Sequence, residues 1–278
     1  MRDFIRAAAE NAQTLIAAAF ERAMPELSAQ GARLSGEVVM PRHTRYGELS
    51  ANHALVSAAA LGVSPAELAG RIAQSTEPNG SCFASVTAAG AGFLNFTLSD
   101  EWYNAVLDAA SRLSAVPAAA AGAETALDVL RRFPHKGGGT ERELALRGDM
   151  ANPVYRVRYA YRRMGAVMDN CAASSRPVYP AETADAARLT RGDERALIRL
   201  LAALPRECAR AAECRDTSPL CAYALELADE FYGIYAVPQY FSADEHTLAQ
   251  RLHLLAAARC TLGYALDRAG VNKNGNWQ

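Results

Sequence analysis

The chain has 278 residues, half of them hydrophobic, and its 29 basic and 30 acidic side chains give a net charge of −1. This length is enough for about two domains with cores of their own, and no apolar run approaches the roughly 20 residues that span a bilayer. The first residues mix charge into a helical pattern, unlike a secretory signal, so we predict a cytoplasmic protein without a membrane partner.

The first 116 residues predict a small α+β domain with an antiparallel sheet. Two features support this prediction. Two segments with the pattern of strands are joined by a turn at Gly90–Gly92, and Ser64, Pro65 and Glu67 form the signature of a helix start. The predicted elements are a helix over 2–23, a strand over Gly36–Met40, helices over Glu48–Leu61 and from Ser64, strands over Phe83–Ala89 and Phe93–Leu98, and a helix over Glu101–Leu113 capped by Asp100.

Residues 117–126 predict a linker, because Val116–Glu124 is rich in alanine and has no apolar periodicity. Residues 127–278 then predict an all-α helical bundle. Asn152 is placed to cap its first clear helix, with Pro153 at the first helical position. The predicted elements are helices over Asn152–Asn170, Asp193–Leu204, Arg206–Cys214 and Ser218–Val237, a loop over Cys171–Thr190, and a long helix from a capping box at Ser242 to Gly270.

Positive charge is concentrated at the junction of the two predicted domains. The balance is −4 over residues 1–124, +5 over 125–163 and −2 over 164–278. The chain has only two lysines, so nearly all of its basic residues are arginines, whose guanidinium groups suit bidentate phosphate contacts. A solvated helix face and arginine-rich codon usage are the alternatives, and the second accounts for the arginine bias more simply.

The segment Asn152–Arg163 reads Asn-Pro-Val-Tyr-Arg-Val-Arg-Tyr-Ala-Tyr-Arg-Arg. It resembles the start of the anticodon-binding domain of arginyl-tRNA synthetases, with every position of the pattern Pro-x-Tyr-x-x-Tyr-Ala-x-x-Arg. Asp229–Pro238 resembles the helix end and turn at which an aromatic residue of that family meets the anticodon. The resemblance implies contacts with the anticodon loop for Tyr155, Tyr159, Arg163, Tyr235 and Trp277.

Alternatives remain for several of these residues. Tyr155 and Tyr159 share one helix face and could both belong to the core of a bundle. The motif favours base stacking for Tyr159 and leaves Tyr155 open. Trp277 stands where the family has a methionine, and it is either a stacking platform or a packed tail residue. Three further arginines on the same helix are candidates for phosphate contacts or for a solvated face: Arg156, Arg158 and Arg162.

The segment Gly90-Ala91-Gly92-Phe93-Leu94-Asn95-Phe96 resembles a motif of the same family's N-terminal domain, with Ala91 in place of a proline. Tyr46–Asn52 resembles a second one, with Glu48 in place of an aspartate. Alternation puts Phe93 and Asn95 on one face of their strand. The resemblance places both residues against the tRNA D-loop. A strand phenylalanine is more often core, whereas an asparagine in mid-strand is harder to explain in that way.

Neither class I synthetase signature, His-x-Gly-His or Lys-Met-Ser-Lys-Ser, occurs in the chain, and no nucleotide-binding glycine loop does. In the family that the chain resembles, the catalytic domain lies between the two matching regions. The six cysteines form no Cys-x-x-Cys pair, so we expect free thiols, no metal site and no cofactor.

The leading hypothesis is a catalytically inert relative of arginyl-tRNA synthetase that binds tRNA, with an arginine acceptor favoured, and does not bind DNA. It would act as an adaptor, a chaperone or a regulator, and a tRNA-using or tRNA-modifying enzyme could be a further partner. The alternative is a protein–protein interaction module that has lost tRNA binding, which the near-neutral charge and the departures at Glu48 and Ala91 favour.

Overall fold

The computed structural model describes residues 1–41, 47–114, 124–135 and 140–274. They divide into two units, one formed by Phe4–Trp102 and the other by Tyr103–Gln278 together with Met1–Asp3. The first unit is α+β and the second is helical, which confirms the predicted fold class. Among the described helices, none is both long enough and apolar enough to cross a membrane.

The described residues of the N-terminal unit form an antiparallel sheet with helices packed against it. The helices are α1 (Phe4–Ala23), α2 (Pro25–Ala29), α3 (His53–Leu61) and α4 (Pro65–Gln74). The strands are β1 (Val38–Val39), β2 (Leu49–Ala51), β3 (Phe83–Ala89) and β4 (Phe93–Leu98), in the sheet order β1-β2-β4-β3. Strands β3 and β4 have the predicted bounds. Phe96 and Leu94 of β4 are fully buried, so the sheet turns this side of β4 into the core of the unit.

One predicted helix of this unit is wrong at its start. The sequence predicted a helix over Glu48–Leu61, but Leu49–Ala51 form β2 and the helix begins only at His53. The backbone of β2 pairs with β4 on one side and with β1 on the other, and all three of its residues are buried. Three residues are too few for alternation to appear in the sequence, so tertiary pairing decides their conformation.

Helix α5 (Asp100–Ser111) follows β4, and its residues from Tyr103 onward belong to the helical unit. Asp100 is the first residue of the helix rather than its cap; Ser99 Oγ accepts the Trp102 N–H at 3.4 Å and takes that role.

The helical unit is organised around α8 (Pro153–Ala172), which packs against α11 (Ser218–Tyr235) and α12 (Glu245–Arg268). Asn152 caps α8 as predicted: its Oδ1 accepts the N–H groups of Val154 and Tyr155. Asp244, rather than the predicted Ser242, caps α12. The remaining helices are α6 (Ala126–Arg131), α7 (Glu141–Leu146), α9 (Gly192–Ala202) and α10 (Leu204–Cys214), with a 3-10 turn at Ala186–Arg188.

Candidate nucleic-acid interface

A shallow groove runs over the open face of the N-terminal sheet. Phe93 and Asn95 both line it, so the predicted sharing of one strand face holds in the structure. The groove has a volume of about 460 Å³, and its remaining lining comes from the neighbouring strands and the β3–β4 turn: Val39, Pro41, Ser50, Ala89, Gly90 and Ala91. The groove is mostly apolar, and the polar atoms of Ser50 and Asn95 lie at its floor. Such a lining fits a flat ligand ring that has a polar edge.

The two predicted residues of the groove differ in exposure. Phe93 is 40% exposed, which is unusual for a strand phenylalanine, whereas Asn95 is 9% exposed. Ser50 Oγ lies 3.1 Å from Asn95 Oδ1 and donates to it, across the β2–β4 pair in which these residues face each other. Among the described residues this is the one hydrogen bond recorded for the Asn95 side chain. Asn95 is therefore both a floor residue of the groove and a polar contact within the sheet.

Gly92, the second glycine of the β3–β4 turn, fixes the position of the turn next to the groove. Gly92 has a φ of +118°, and a Cβ atom there would lie 2.8 Å from Cβ of Pro65. The Leu55 N–H at the start of α3 donates to the Gly92 carbonyl at 3.1 Å. Only glycine permits both this backbone conformation and this close approach. The motif therefore anchors the turn on α3 and α4 and leaves the Phe93 ring facing outward.

Three tyrosine rings form a row across α8 and α11, and we call Tyr155, Tyr159 and Tyr232 the tyrosine stripe. The rings of Tyr155 and Tyr159 are nearly parallel, with centroids 5.8 Å apart, and those of Tyr159 and Tyr232 are 6.4 Å apart. All three are half-buried. The hydroxyl of Tyr232 donates to the Arg156 carbonyl at 2.8 Å, and burial raises the pKa of this phenol. Tyr159 is therefore at the centre of a partly open aromatic surface.

Sequence reasoning missed Tyr232, although it lies in the quoted segment Asp229–Pro238. Its ring lies against that of Tyr159, which is 73 positions earlier in the sequence, so no local spacing indicates the contact. The signal that was available is its position three residues before Tyr235, which puts both side chains near one face of α11.

Arg163 and Tyr235 meet at one end of this surface. The Arg163 Nε–H donates to the Tyr235 hydroxyl at 2.8 Å, and the guanidinium carbon lies 4.9 Å from the ring centroid. The hydroxyl contact raises the pKa of Arg163, which stays charged. The Tyr235 ring also lies 5.5 Å from that of Phe231, a fully buried residue. The structure thus places Tyr159, Arg163 and Tyr235 close together, although they belong to two motifs that are far apart in the sequence.

The three predicted phosphate contacts have different surroundings. Arg156 forms an ion pair with Asp229 of α11. The Arg158 Nε–H donates to the Asn272 carbonyl at 2.6 Å, on the opposite edge of α8. Arg162 is exposed, and no ion pair is recorded for it among the described residues. Trp277 lies outside the described residues.

The described residues contain no group of three or more histidine, cysteine or acidic side chains that could hold a metal ion. Cys221 is buried, and desolvation raises the pKa of its thiol to about 12.

Residues 10–98 match the family model of the arginyl-tRNA synthetase N-terminal domain, and residues 157–273 match that of the DALR anticodon-binding domain. The chain therefore contains two regions similar to domains of arginyl-tRNA synthetases, in the order in which they are matched here.

Individual relatives agree with this assignment. The chain is 30% identical over 130 residues to the arginine–tRNA ligase of Geotalea daltonii, and this alignment covers 47% of the chain and 23% of the ligase. It is 36% identical over 132 residues to the ligase of Nitratidesulfovibrio vulgaris, covering 46% of the chain and 24% of that ligase. The aligned part thus spans about a quarter of the length of these curated relatives. Residues 99–156 alone separate the two matched regions.

Proposed function

We propose that this protein binds tRNA, an arginine acceptor in particular, and does not aminoacylate it. The observation that carries the proposal is the tyrosine stripe with the adjacent Arg163–Tyr235 pair, which lies on the DALR-type domain. Unstacked bases of an RNA loop bind to aromatic faces of this kind, with roughly 1–3 kcal/mol per base. In this proposal Tyr159 contributes most, because it is the central ring of the row and a base bound across the stripe would contact it.

In this proposal the N-terminal groove is a second tRNA-binding site, which contacts the D-loop. A base ring would lie on the exposed Phe93 ring, and the Asn95 amide would meet its polar edge. The apolar lining supports this role, since a base entering the groove would be desolvated on its faces while one polar group fixes its orientation.

The absence of aminoacylation is also part of the proposal. It is supported by the short separation of the two matched regions, where only residues 99–156 stand in the place of a catalytic domain, and by the missing class I signatures. A tRNA-binding protein of this kind would work in the cytoplasm as an adaptor, a chaperone or a regulator that hands tRNA to another enzyme or withholds it.

The test is a binding titration of the purified protein with fluorescently labelled tRNA at two salt concentrations. An arginine acceptor transcript should bind more tightly than a transcript for an unrelated amino acid, and the affinity should fall as salt rises. Sequencing of the RNA that co-purifies with the protein identifies the preferred tRNA. Arginine-dependent exchange of pyrophosphate into ATP should be absent, and its detection would contradict the non-catalytic part of the proposal.

One set of observations favours the alternative of a protein–protein module. Arg156 is engaged with Asp229, and Arg158 with the chain's own backbone, so two of the three predicted phosphate contacts already have partners. Failure of the wild-type protein to bind any tRNA at low salt would favour this alternative.

A further inference from the structure

A second charged surface lies on the other edge of α8, facing α12. We call Arg158, Arg162, Arg259 and Lys273 the cationic cluster. Its centre is the ring of Tyr161, which the sequence analysis did not single out. The guanidinium carbon of Arg259 lies 4.4 Å from the Tyr161 ring centroid, and Lys273 Nζ lies 5.7 Å from it.

The packing of α8 against α12 holds these groups in place. The Arg259 Nε–H donates to the Tyr161 carbonyl at 3.3 Å. A Cβ atom at Gly165 would lie 3.2 Å from Arg259 Nε, and one at Gly263 would lie 2.9 Å from the Tyr161 ring. The absence of a side chain at these two positions therefore leaves room for the arginine and the ring to approach the opposing helix closely. The two cations next to the ring are thus ordered rather than freely solvated.

The four cations are near one another and only partly neutralised. Arg158 and Arg162 are one helical turn apart on α8, and burial together with the charge of Arg162 lowers the pKa of Arg158. Lys273 pairs with Asp267 at 2.5 Å. For Arg162 and Arg259, no ion pair is recorded within the described ranges. Of Arg162, Arg259 and Lys273, only Lys273 therefore has an acidic partner within the described part of the chain.

On the edge of α8 that faces α11, the arginines already have partners within the chain. Arg156 forms an ion pair with Asp229 of α11. The Arg163 Nε–H donates to the Tyr235 hydroxyl at 2.8 Å. On the α12 edge, by contrast, no ion pair is recorded in the described residues for Arg162 or Arg259. Phosphate groups therefore meet more available positive charge on the α12 side.

We propose that the cationic cluster binds phosphate groups of the RNA backbone, so that a bound strand lies across α8 with its bases toward α11 and its phosphates toward α12. This inference rests on the proposed tRNA binding and adds a direction to it, together with two groups, Arg259 and Lys273. Guanidinium groups present paired N–H donors, which match the oxygen spacing of phosphate.

The experiment measures the salt dependence of tRNA binding for the wild type and for Arg162→Gln, Arg259→Gln and their double variant. Each neutralised phosphate contributes about 0.7 to the slope of log K against log salt for single strands. Each single variant should lower the slope by about that amount, and the double variant by about twice as much. Arg210→Gln is the matched control, because Arg210 is exposed on α10 and ion-paired with Glu207, and its slope should equal that of the wild type.

Inorganic tripolyphosphate serves as a second probe that does not depend on tRNA. Two results together support the inference. The wild type binds tripolyphosphate and both variants bind it more weakly, and the variants bind tRNA with the lowered salt slopes. Tripolyphosphate binding without tRNA binding supports an anion site but overturns its assignment to RNA, and with it the proposed function. Normal tRNA binding with unchanged slopes in both variants overturns the inference alone. A slope lowered by Arg156→Gln but by neither variant would put the phosphates on the α11 side.

Arg259 packs on Tyr161, so Arg259→Gln could disturb the α8–α12 contact. Circular dichroism and the thermal midpoint of each variant identify such damage. Arg162 is exposed and should be free of it, so Arg162→Gln tests the position of the phosphates without this ambiguity, and Arg259→Gln is interpreted only if its fold is intact.

Discussion

At the scale of single residues, Tyr159 is where base stacking should depend most on one side chain. It is the only member of the tyrosine stripe with a stacked ring on each side, from Tyr155 and from Tyr232. We predict that Tyr159→Ala weakens tRNA binding roughly 5- to 150-fold, the equivalent of about 1–3 kcal/mol. Fluorescence anisotropy with labelled tRNA measures the effect.

The matched control for Tyr159→Ala is Tyr179→Ala. Tyr179 is an exposed tyrosine of the same unit that lies outside the stripe, so its removal should leave the affinity unchanged. Tyr159→Phe keeps the ring and should stay close to the wild type if stacking dominates. Equal losses in Tyr159→Ala and Tyr179→Ala, or none in either, would show that the stripe does not bind bases.

Asn95 has two roles that one substitution removes together. Its Oδ1 accepts a hydrogen bond from Ser50, and it is 9% exposed, so Asn95→Ala should cost stability as well as binding. We expect a loss of about 1 kcal/mol in the free energy of unfolding, the scale of one buried hydrogen bond. Urea denaturation measures it, and tRNA binding under native conditions measures the second role.

Two neighbours of Asn95 separate these roles. Ser50→Ala removes the same hydrogen bond from the other side, so it should match the stability loss of Asn95→Ala but keep more of the tRNA affinity. Phe93→Ala removes an exposed ring, so it should weaken binding with little change in stability. If Ser50→Ala and Asn95→Ala weaken binding equally, Asn95 acts only through the fold.

At the scale of elements, the start of α8 is the point on which the stripe depends. The Asn152 side chain is fully buried; besides capping α8, its Nδ2 donates to the carbonyls of Ala145 and Arg147. We predict that Asn152→Ala destabilises the protein by about 2–3 kcal/mol, because a lost cap costs about 1 kcal/mol and buried carbonyls lose their donor as well. Chemical denaturation measures the change.

Asn152→Asp is the informative companion of Asn152→Ala. It keeps the oxygen that accepts the Val154 N–H but loses both donated hydrogen bonds, so at neutral pH it should retain the cap and still be less stable than the wild type. Tyr155 lies in the first turn that Asn152 caps. Both variants should therefore weaken tRNA binding in proportion to the fraying of this turn, and a full stability loss with unchanged binding would remove Tyr155 from the site.

The elements also show what the sequence could predict. Strands β3 and β4 were correct to the residue, because seven and six residues with glycines between them leave a clear signal. Helices α6 and α7, six residues each, were missed, since so short a helix shows no apolar period. Their starts were nevertheless visible as capping boxes, in which Thr125 pairs with Asp128 and Thr140 with Glu143.

The site was predictable in part for the same reason. Local motifs predicted a role for Tyr159, Arg163 and Tyr235, and the structure brings these three side chains close together, while their role stays a prediction. Contacts between helices leave no local pattern, so Tyr232 beside Tyr159 and Arg259 beside Tyr161 could not be found. The residues of the second pair are 98 positions apart in the chain. The pairing of Arg156 with Asp229 was equally invisible, although it bears directly on the predicted phosphate contact of Arg156.

At the scale of the whole molecule, the division of the chain has a consequence for the predicted linker. Helix α5 ends before that linker, but its residues from Tyr103 onward belong to the helical unit. Tyr103 is fully buried, with the Arg195 guanidinium 4.7 Å from its ring centroid. Asn104 Oδ1 accepts the Ala186 N–H at 2.7 Å, and Asp108 Oδ1 accepts the Ala184 N–H at 3.1 Å.

We therefore predict that a protein cut within Val116–Glu124, at an inserted protease site, does not separate into two pieces. The second part of α5 should hold the first piece on the second without a covalent link. Native mass spectrometry and gel filtration should show a complex of the size of the intact chain. Tyr103→Ala combined with Asp108→Ala should release the pieces after cutting, whereas a wild-type complex that falls apart on cutting would contradict the prediction.

The same cut tests whether the two proposed grips on tRNA cooperate. If both sites bind one tRNA, joining them raises the effective concentration of the second site, and the gain disappears when the pieces drift apart. The cut wild type should thus keep an affinity close to that of the intact protein, because α5 still joins the pieces. The cut double variant should bind far more weakly, while the uncut double variant, still covalently linked, should lie between them. Equal affinities for all cut and uncut forms would mean that one unit binds the tRNA alone. A comparison of Phe93→Ala with Tyr159→Ala would then identify the unit that binds.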